Sequence, residues 1–528
     1  MQSYRRNKIT KRILAMAAAA SLFVSPSVSL GQNISKSDST KANTIKVDGK
    51  VTNVTPDRTV NGGKTAINQF AKFELDRGNI ANLHLGGSDT LVNFVDAKAS
   101  INGIVNAVKN NKLGGNLYFL SSQGIAVGSE GAINAGKVGL IVPNQTFYND
   151  LLKAEDLGDK YFASNIVGRY TLNPSGTITV EGSINAPGGI TLAAQKVDIS
   201  GHLNNTANIN YSDIVNIKDE NGGVSAGLKE LSQQDKLGLT VDGTGIYITA
   251  HVNDDMITEQ SSILDLIGAG FKRLGSPLEA SIKVGENATI NSDSNILMNA
   301  SISANRTYQN QLSQTSNFYG FRSLVDIAGK VKGSNIAINS DITDTYTYAS
   351  VVSSDTKQSD ADISKIISNM MNIFSMMNLQ KLLQNYAHVA NSFVARADRA
   401  EVNIGGTASL NATKDIVLNN TSNFKDELNS YVTSKDNAGG FAVNVTYLDN
   451  AADMKVKGTI SAGGDVTLNN AVKADISSTT YLKFDKSNNT ASTLALNFSK
   501  GSSKSTLTID SAANINSGGG FEYLFRID

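Results

Sequence analysis

Two stretches of this chain align without a gap: VEGSINAPGGITLAA from Val180 and VKGTISAGGDVTLNN from Val456. Valine, glycine, isoleucine, alanine, glycine, threonine and leucine recur at the same places. Related segments begin at Val284, Val331, Ile404 and Leu507. Each holds a short alternating strand, a glycine or asparagine corner, a second short strand, and polar residues. Alternation puts Val180, Ile184, Ile190 and Leu192 on one side and Glu181, Ser183 and Thr191 mostly on the other. So short a unit cannot bury its apolar side alone, but stacked on copies of itself it can. The repeats therefore predict an all-β fold, a right-handed parallel β-helix, with one coil per ~20–25 residues. Corner asparagines at Asn134, Asn185, Asn291 and Asn411 are placed to stack in ladders.

The stretch NLYFLSSQGIAVGSEGAINAG, residues 116–136, reads as one such coil. Leu117, Phe119, Ile125, Val127 and Ile133 are its expected inward residues. Its glycines do not form the Gly-x-Gly-x-x-Gly opening of a dinucleotide site, and no helical pattern follows them. The Gly63–Thr65 Gly-Lys-Thr lacks the upstream glycine of a phosphate loop, because Arg58 holds that place. The chain of 528 residues carries 47 basic and 47 acidic side chains, a balance that steers it to neither nucleic acid nor an anionic membrane. Gly, Asn, Ser, Thr and Ala abound, as many short strands and tight turns require.

The first residues carry an export pattern. Arg5, Arg6, Lys8, Lys11 and Arg12 form a basic head. The apolar run 13–24 is too short to span a bilayer, and Ser29-Leu30-Gly31 offers small residues for cleavage. Residues 1–31 are thus expected to be a signal peptide. The chain has no cysteine. Exported proteins commonly use disulfides. Three readings fit their absence: a second crossing through a narrow pore in an unfolded state, a core large enough to need no staples, or an anaerobic habitat.

Three stretches interrupt the strand pattern. Residues 360–398 contain neither glycine nor proline, and Ile363, Ile366, Ile367, Met370, Phe374 and Met377 follow a helical stripe. The stripe continues through Leu379, Leu382, Leu383, Tyr386 and Phe393, and Ser359 with Asp362 suits a helix start. Further helices are expected at 258–274 and, more weakly, at 147–161. These amphipathic helical insertions are read as packing on the β-helix. Enzyme chemistry finds no anchor and no cofactor is implied: His84, His202, His251 and His388 match no metal spacing, and no nucleophile elbow occurs. Asp254-Asp255 and Asp360 with Asp362 are the tight acid groups a β-helical polysaccharide lyase or hydrolase would need, and a solvated turn or helix cap accounts for them better.

The segments TAINQFAKFELDRGNIANLHL, DTLVNFV and YFLSSQGIAVGSEGAINAG, taken together, resemble the secretion domain of two-partner-secretion exoproteins of the filamentous haemagglutinin type, and more closely the leukotoxin-family filamentous adhesins. The likeness is good over residues 45–205 and looser beyond. The family's Asn-x-Phe-x-x-Phe opening falls on Asn68, Phe70 and Phe73. Its Asn-Pro-Asn-Gly-Ile turn falls on Ser121–Ile125, keeping Gly124 and Ile125 but neither asparagine nor the proline; Phe119, Gly128 and Ile133 beside it fit. The resemblance implies a capped β-helix recognised by an outer-membrane two-partner-secretion transporter, with Asn68, Phe70, Phe73, Gly124, Ile125, Gly128 and Asn134 as recognition residues.

The expected organisation is a signal peptide at 1–31, the secretion domain at 32–205, β-helix with helical insertions at 206–400, and further repeats at 401–528. The expected function is that of an adhesin, secreted or held at the surface of a Gram-negative-type bacterium, with a host-cell surface receptor. A leukocyte-directed toxin of the same family is the alternative. Phe521, Tyr523, Leu524, Phe525 and Ile527 are too apolar for the polar cap a solenoid needs, so the chain is expected to be the truncated amino-terminal part of a larger exoprotein.

Overall fold

The computed structural model describes residues 32–37, 44–158, 162, 171–207, 245–253, 277–311, 315–353, 388–434, 440–484 and 493–527. The expected signal peptide at 1–31, the helix at 258–274 and most of the helix at 360–398 lie outside them. The described residues form a three-faced parallel β-helix. Each coil lays one strand on the first face, one on the second and one on the third. Asn116–Leu120, Ile125–Val127 and Ala132–Asn134 make one coil, and Lys137–Ile141 starts the next directly above Asn116–Leu120. Crossovers between parallel strands are right-handed almost without exception, the sense read from the repeats.

One apolar column runs up the middle, from Val54 to Leu468. Leu117, Phe119, Ile125, Val127 and Ile133 all lie in it, wholly buried, as do Val180, Ile184, Ile190 and Leu192. The expected inward register is thus the observed one. Glycine is required where coils crowd at the corner between the second and third faces. A Cβ on Gly182 would stand 2.0 Å from the Gly131 carbonyl oxygen, and one on Gly201 equally close to that of Gly182.

The amino end is closed by strands running the other way. Asn33–Lys36 pairs antiparallel with Thr65–Leu75, Thr44–Asp48 with Val51–Thr55, and Arg58–Val60 with the start of Thr65–Leu75. They occupy backbone groups that the first coil would otherwise leave open. The first-face strands above this cap are apolar on both sides, because a second layer covers them. Its helix, Gln145–Lys153, buries Tyr148 and Leu151, and Asn144 caps it by accepting from the Phe147 N–H at 2.8 Å. Tyr148 meets Phe94 edge-on at 5.4 Å, and Phe162 stacks on Tyr118 at 4.1 Å. The helix expected at 147–161 therefore exists but is shorter and begins earlier.

The coils are not uniform. In the amino-terminal half, stacked asparagines lie 19 to 29 residues apart wherever nothing is inserted. In the carboxy-terminal half the corresponding separations are 40, 50 and 80. The first two strands of each coil are longer, and between Asn339 and Asn419 residues 354–387 add to the separation as well. Ile416–Ser434 and Gly440–Val456 have 19 and 17 residues, and Ile336–Ser353 and His388–Ile404 have 18 and 17. The extra length runs past the corner between the first and second faces and forms a two-sheet fin beside the prism. Two expectations are corrected here. The ~20–25-residue period fails for these coils. The helix expected at 360–398 does not reach its end, because His388–Asp398 is strand, paired in parallel with Gly440–Asn450 and, from Ser392, with Thr315–Phe321. Val394, Arg396 and Asp398 face inward at a spacing of two, and sheet pairing there outweighs a helical stripe. The expected division at 400 falls inside this strand.

At the far end, Phe521–Ile527 lies on Val466–Val472 in parallel register, with Phe521, Tyr523 and Leu524 43–67 % exposed. The column makes a direct demand on Phe119, which packs against Phe73 at 5.0 Å. Phe119→Ala should lower unfolding stability by about 3–5 kcal/mol, the range for a buried aromatic. Urea denaturation measures it, and an effect under about 0.5 kcal/mol, the surface range, would show that the register is wrong.

Candidate functional site

The expected recognition residues fall in the first coils, and all but Gly128 are buried. Asn68, Phe70 and Phe73 lie on Thr65–Leu75. Asn68 and Phe70 share a side because strand side chains alternate. Phe73 should point the other way, but the chain turns a corner between them. Residues up to Phe70 pair with Thr90–Val95, whereas Glu74 and Leu75 pair with Ser100 and Ile101 on the next face. The turn resets the alternation, so all three side chains are buried. Phe70 and Phe73 meet edge-on at 5.2 Å, and Phe119 joins them from a later coil. The spacing Asn-x-Phe-x-x-Phe is thus the pattern of a strand that rounds a corner with a wholly internal face.

Asn68 donates its amide N–H to Asn93 Oδ1 at 3.0 Å, and Asn93 donates to the Tyr118 carbonyl at 3.1 Å. This short amide stack sits beside the aromatic cluster and locks the first coils in register. Gly124 turns at φ +105 with Thr177 close above it. Ile125 stacks between Ala99 and Ile178. A Cβ on Gly128 would stand 1.9 Å from Asn102 Oδ1, so a side chain there would have to push the Asn102 amide aside.

Asn134 belongs to a different array on the third face. Asn53, Asn82, Asn106, Asn134, Asn185 and Asn204 form a continuous amide ladder, each above Asn53 donating to the one below at 2.8–3.3 Å. Asn291 stacks in register on Asn204, and Lys332 follows it. Asn411 stands between Lys332 and Ser461 and is no part of this ladder. Sequence reading missed Asn53, Asn82, Asn106 and Asn204. For Asn82, Asn106 and Asn204 the signal was an asparagine directly after a buried apolar residue of a third-face strand, as in Ala81-Asn82 and Val105-Asn106; Asn53 follows Thr52 and lacks it. The structure therefore gathers Phe70 and Phe73 around Phe119 and sets Asn68 beside them. It places Gly124, Ile125 and Gly128 on or beside the second face and Asn134 on the third.

Other polar groups line a cleft of about 630 Å3 on the first face, among them His251, Asn299, Asp341, Asn419 and Asn469. Many of them bond one another: Asn419 donates to Asn339 at 3.0 Å, Thr421 to Asp341, and His251 meets Ser301 at 2.9 Å. Burial holds the Asp341 carboxyl above the usual range, against the pull of Thr421 and Thr343. On the second face Glu279 lies between Lys196 at 3.4 Å and Arg322 at 3.3 Å, and Arg322 reaches Glu401 at 2.8 Å. Among the described residues no three His, Asp or Glu side chains group as metal ligands. His84 contacts Asn53 Oδ1 at 3.0 Å and His202 contacts Thr289 at 2.7 Å. Asp254-Asp255, Asp360 and Asp362 lie outside the described residues.

No protein-family model matches the chain, and no curated protein matches it. Among solved structures it is similar to the HMW1 secretion domain from Haemophilus influenzae, at 11 % identity and a TM-score of 0.25, over 94 % of this chain and 99 % of that one. A superposition that loose transfers no residue roles. The fold rests on strand register.

The amide ladder yields a test. Asn106 accepts from Asn134 and donates to Asn82 inside the protein. Asn106→Ala leaves both neighbours short of a partner, at a cost of about 1–3 kcal/mol per buried unsatisfied group. The urea midpoint should fall accordingly. An unchanged midpoint would show that the ladder contributes nothing to stability.

Proposed function

We propose that this chain is a secreted or surface-held filamentous adhesin, exported unfolded through a dedicated outer-membrane transporter and used for attachment to host cells or other surfaces. The observation that carries the reading is the form of the column: the described residues of a cysteine-free chain stack coil on coil, from an end closed by antiparallel strands, around one apolar core. Such a column can nucleate at one end and propagate. Each added coil buries apolar surface worth ~25 cal/mol per Å2, a source of direction for export into a space without ATP. Its role is binding, not catalysis, with a host-surface receptor as partner. A toxin or lyase on the same solenoid would need a membrane-active helix or an acid cluster; residues 360–387 and Asp254-Asp255, read from the sequence as a packed helix and a solvated turn, lie outside the described residues.

Burial of Asn68, Phe70 and Phe73 constrains how a transporter could use them. In the folded coils they present nothing to a partner, so on this reading they are recognised before folding. Residues 45–205 should direct secretion of a fused passenger when the transporter is co-expressed. Asn68→Ala with Phe70→Ala should abolish export while leaving signal-peptide cleavage intact, as read by the size and location of the protein in periplasm and medium. Normal secretion of the double variant would exclude this segment as the recognition element.

A further inference from the structure

Among the described residues the interior of the fin holds five Asp and Arg side chains that the stacking itself does not call for. Asp344, Arg396 and Asp398 are wholly buried, Asp426 is 1 % exposed and Arg306 2 %. They come from four strands: Ile296–Gln311, Ile336–Ser353, His388–Ile404 and Ile416–Ser434. Asp344 joins the two guanidiniums, accepting from Arg306 Nη2 at 2.7 Å and from Arg396 Nε at 2.7 Å. The Phe321 ring lies 5.4 Å from the Arg306 guanidinium, and the Tyr346 ring 5.3 Å from that of Arg396. From Gly440–Val456, Thr446 donates to Asp426 Oδ2 at 3.0 Å. Tyr346 and Tyr348 are the other titratable side chains in this interior among the described residues.

The charge count is unbalanced. Two guanidiniums stay charged at every ordinary pH. Three carboxylates against them would leave one uncompensated negative charge away from water. Such a charge costs several kcal/mol, and a buried acid takes up a proton instead. One proton balances the cluster. Asp344 accepts from both guanidiniums, so the proton falls to Asp398 or Asp426.

We propose that the fin is a proton-locked element, in which Asp398 or Asp426 holds one proton while the two sheets are closed, and losing that proton as pH rises loosens the sheets at this level. Burial acts on both carboxyls in the required direction. It holds Asp398 well above the usual carboxylate range, with the charge of Asp344 adding to the effect and the two guanidiniums opposing it. It pushes Asp426 up to about 7, against the pull of Arg396 and Thr446. An acid that is weaker in the closed state than in the open one binds its proton more tightly when closed. Closure is then favoured at low pH, and the advantage is lost as pH climbs from the ordinary carboxylate range to about 7.

Amide hydrogen exchange of the full chain, normalised to the intrinsic rate at each pH, tests this. Opening of the strands around Asp344, Arg396 and Asp426 should increase about tenfold per pH unit between roughly pH 5 and pH 7, or about a hundredfold in all. Opening around Leu117 in the prism should not follow. Asp426→Asn and Asp398→Asn each keep the shape of the protonated acid and leave two carboxylates facing two guanidiniums. Each should flatten the pH dependence and keep the fin closed at about pH 7. A wild-type fin that opens equally at both pH values would overturn the proposal. So would Asn variants that open it at about pH 5. Infrared spectroscopy of the wild-type chain keeps the test independent of the variants. A protonated-carboxyl stretch should be present near pH 6, and its absence would overturn the proposal as well.

Discussion

Everything in this protein depends on one requirement: each coil must satisfy its backbone groups and bury its apolar side chains against the coils above and below it. A parallel sheet sets neighbouring strands about 4.8 Å apart with side chains in register, so a residue meets its equivalent in the next coil. Ile125 meets Ile178, Ile184 meets Leu203, and Asn106 meets Asn134. Like therefore stacks on like, apolar in the column and amide in the ladders. The same requirement makes the first coil a problem, since nothing lies beneath it, and the antiparallel strands around Asn33–Lys36 and Thr44–Asp48 are the answer to it.

The corner between the first and second faces is where the chain departs from this economy. The helix Gln145–Lys153 is inserted there, between Ile141 and Thr177, and so is the fin. Loops at that corner can lengthen without disturbing the column, because neither flanking strand changes its register. Further along, the loop becomes sheet. The fin interior then combines apolar clusters, such as Tyr346, Tyr348, Val394 and Leu428, with buried ions and amides. The prism is held by burial and the fin in large part by polar networks, which gives the two parts different sensitivity to solution conditions.

The prism was legible in the sequence because its signal is redundant. Glycine corners, alternating apolar residues and recurrent asparagines all repeat, and each copy confirms the others. Phe119 and Ile184 fall where the pattern puts them. The fin was not legible, because its inward positions do not look like a core. In Asp344-Thr345-Tyr346 or Arg396-Ala397-Asp398 the buried positions carry charge, and charge in a sequence reads as surface. His388–Asp398 read as the tail of a helix for a related reason: lacking glycine and proline, it fits either state, and only the strands beside it decide. The candidate site was half legible. The sequence singled out Asn68, Phe70 and Phe73 but not their burial, because their spacing hides the corner that turns all three inward.

Register across the widest sequence gap in the amino-terminal half is the most direct measure of whether coils stack as described. His202 and Thr289 are 87 residues apart, yet their side chains meet at 2.7 Å on the third face. The chain has no cysteine of its own, so a cysteine pair at these positions reports on nothing else. His202→Cys with Thr289→Cys should form an intramolecular disulfide rapidly under mild oxidation, because neighbouring strands hold Cα atoms within the 4.4–6.8 Å that such a bond needs. His202→Cys with Ile290→Cys, slipped by one residue and pointing inward, should not. Equal cross-linking of the two pairs, or none in the first, would contradict the stacked, in-register β-helix.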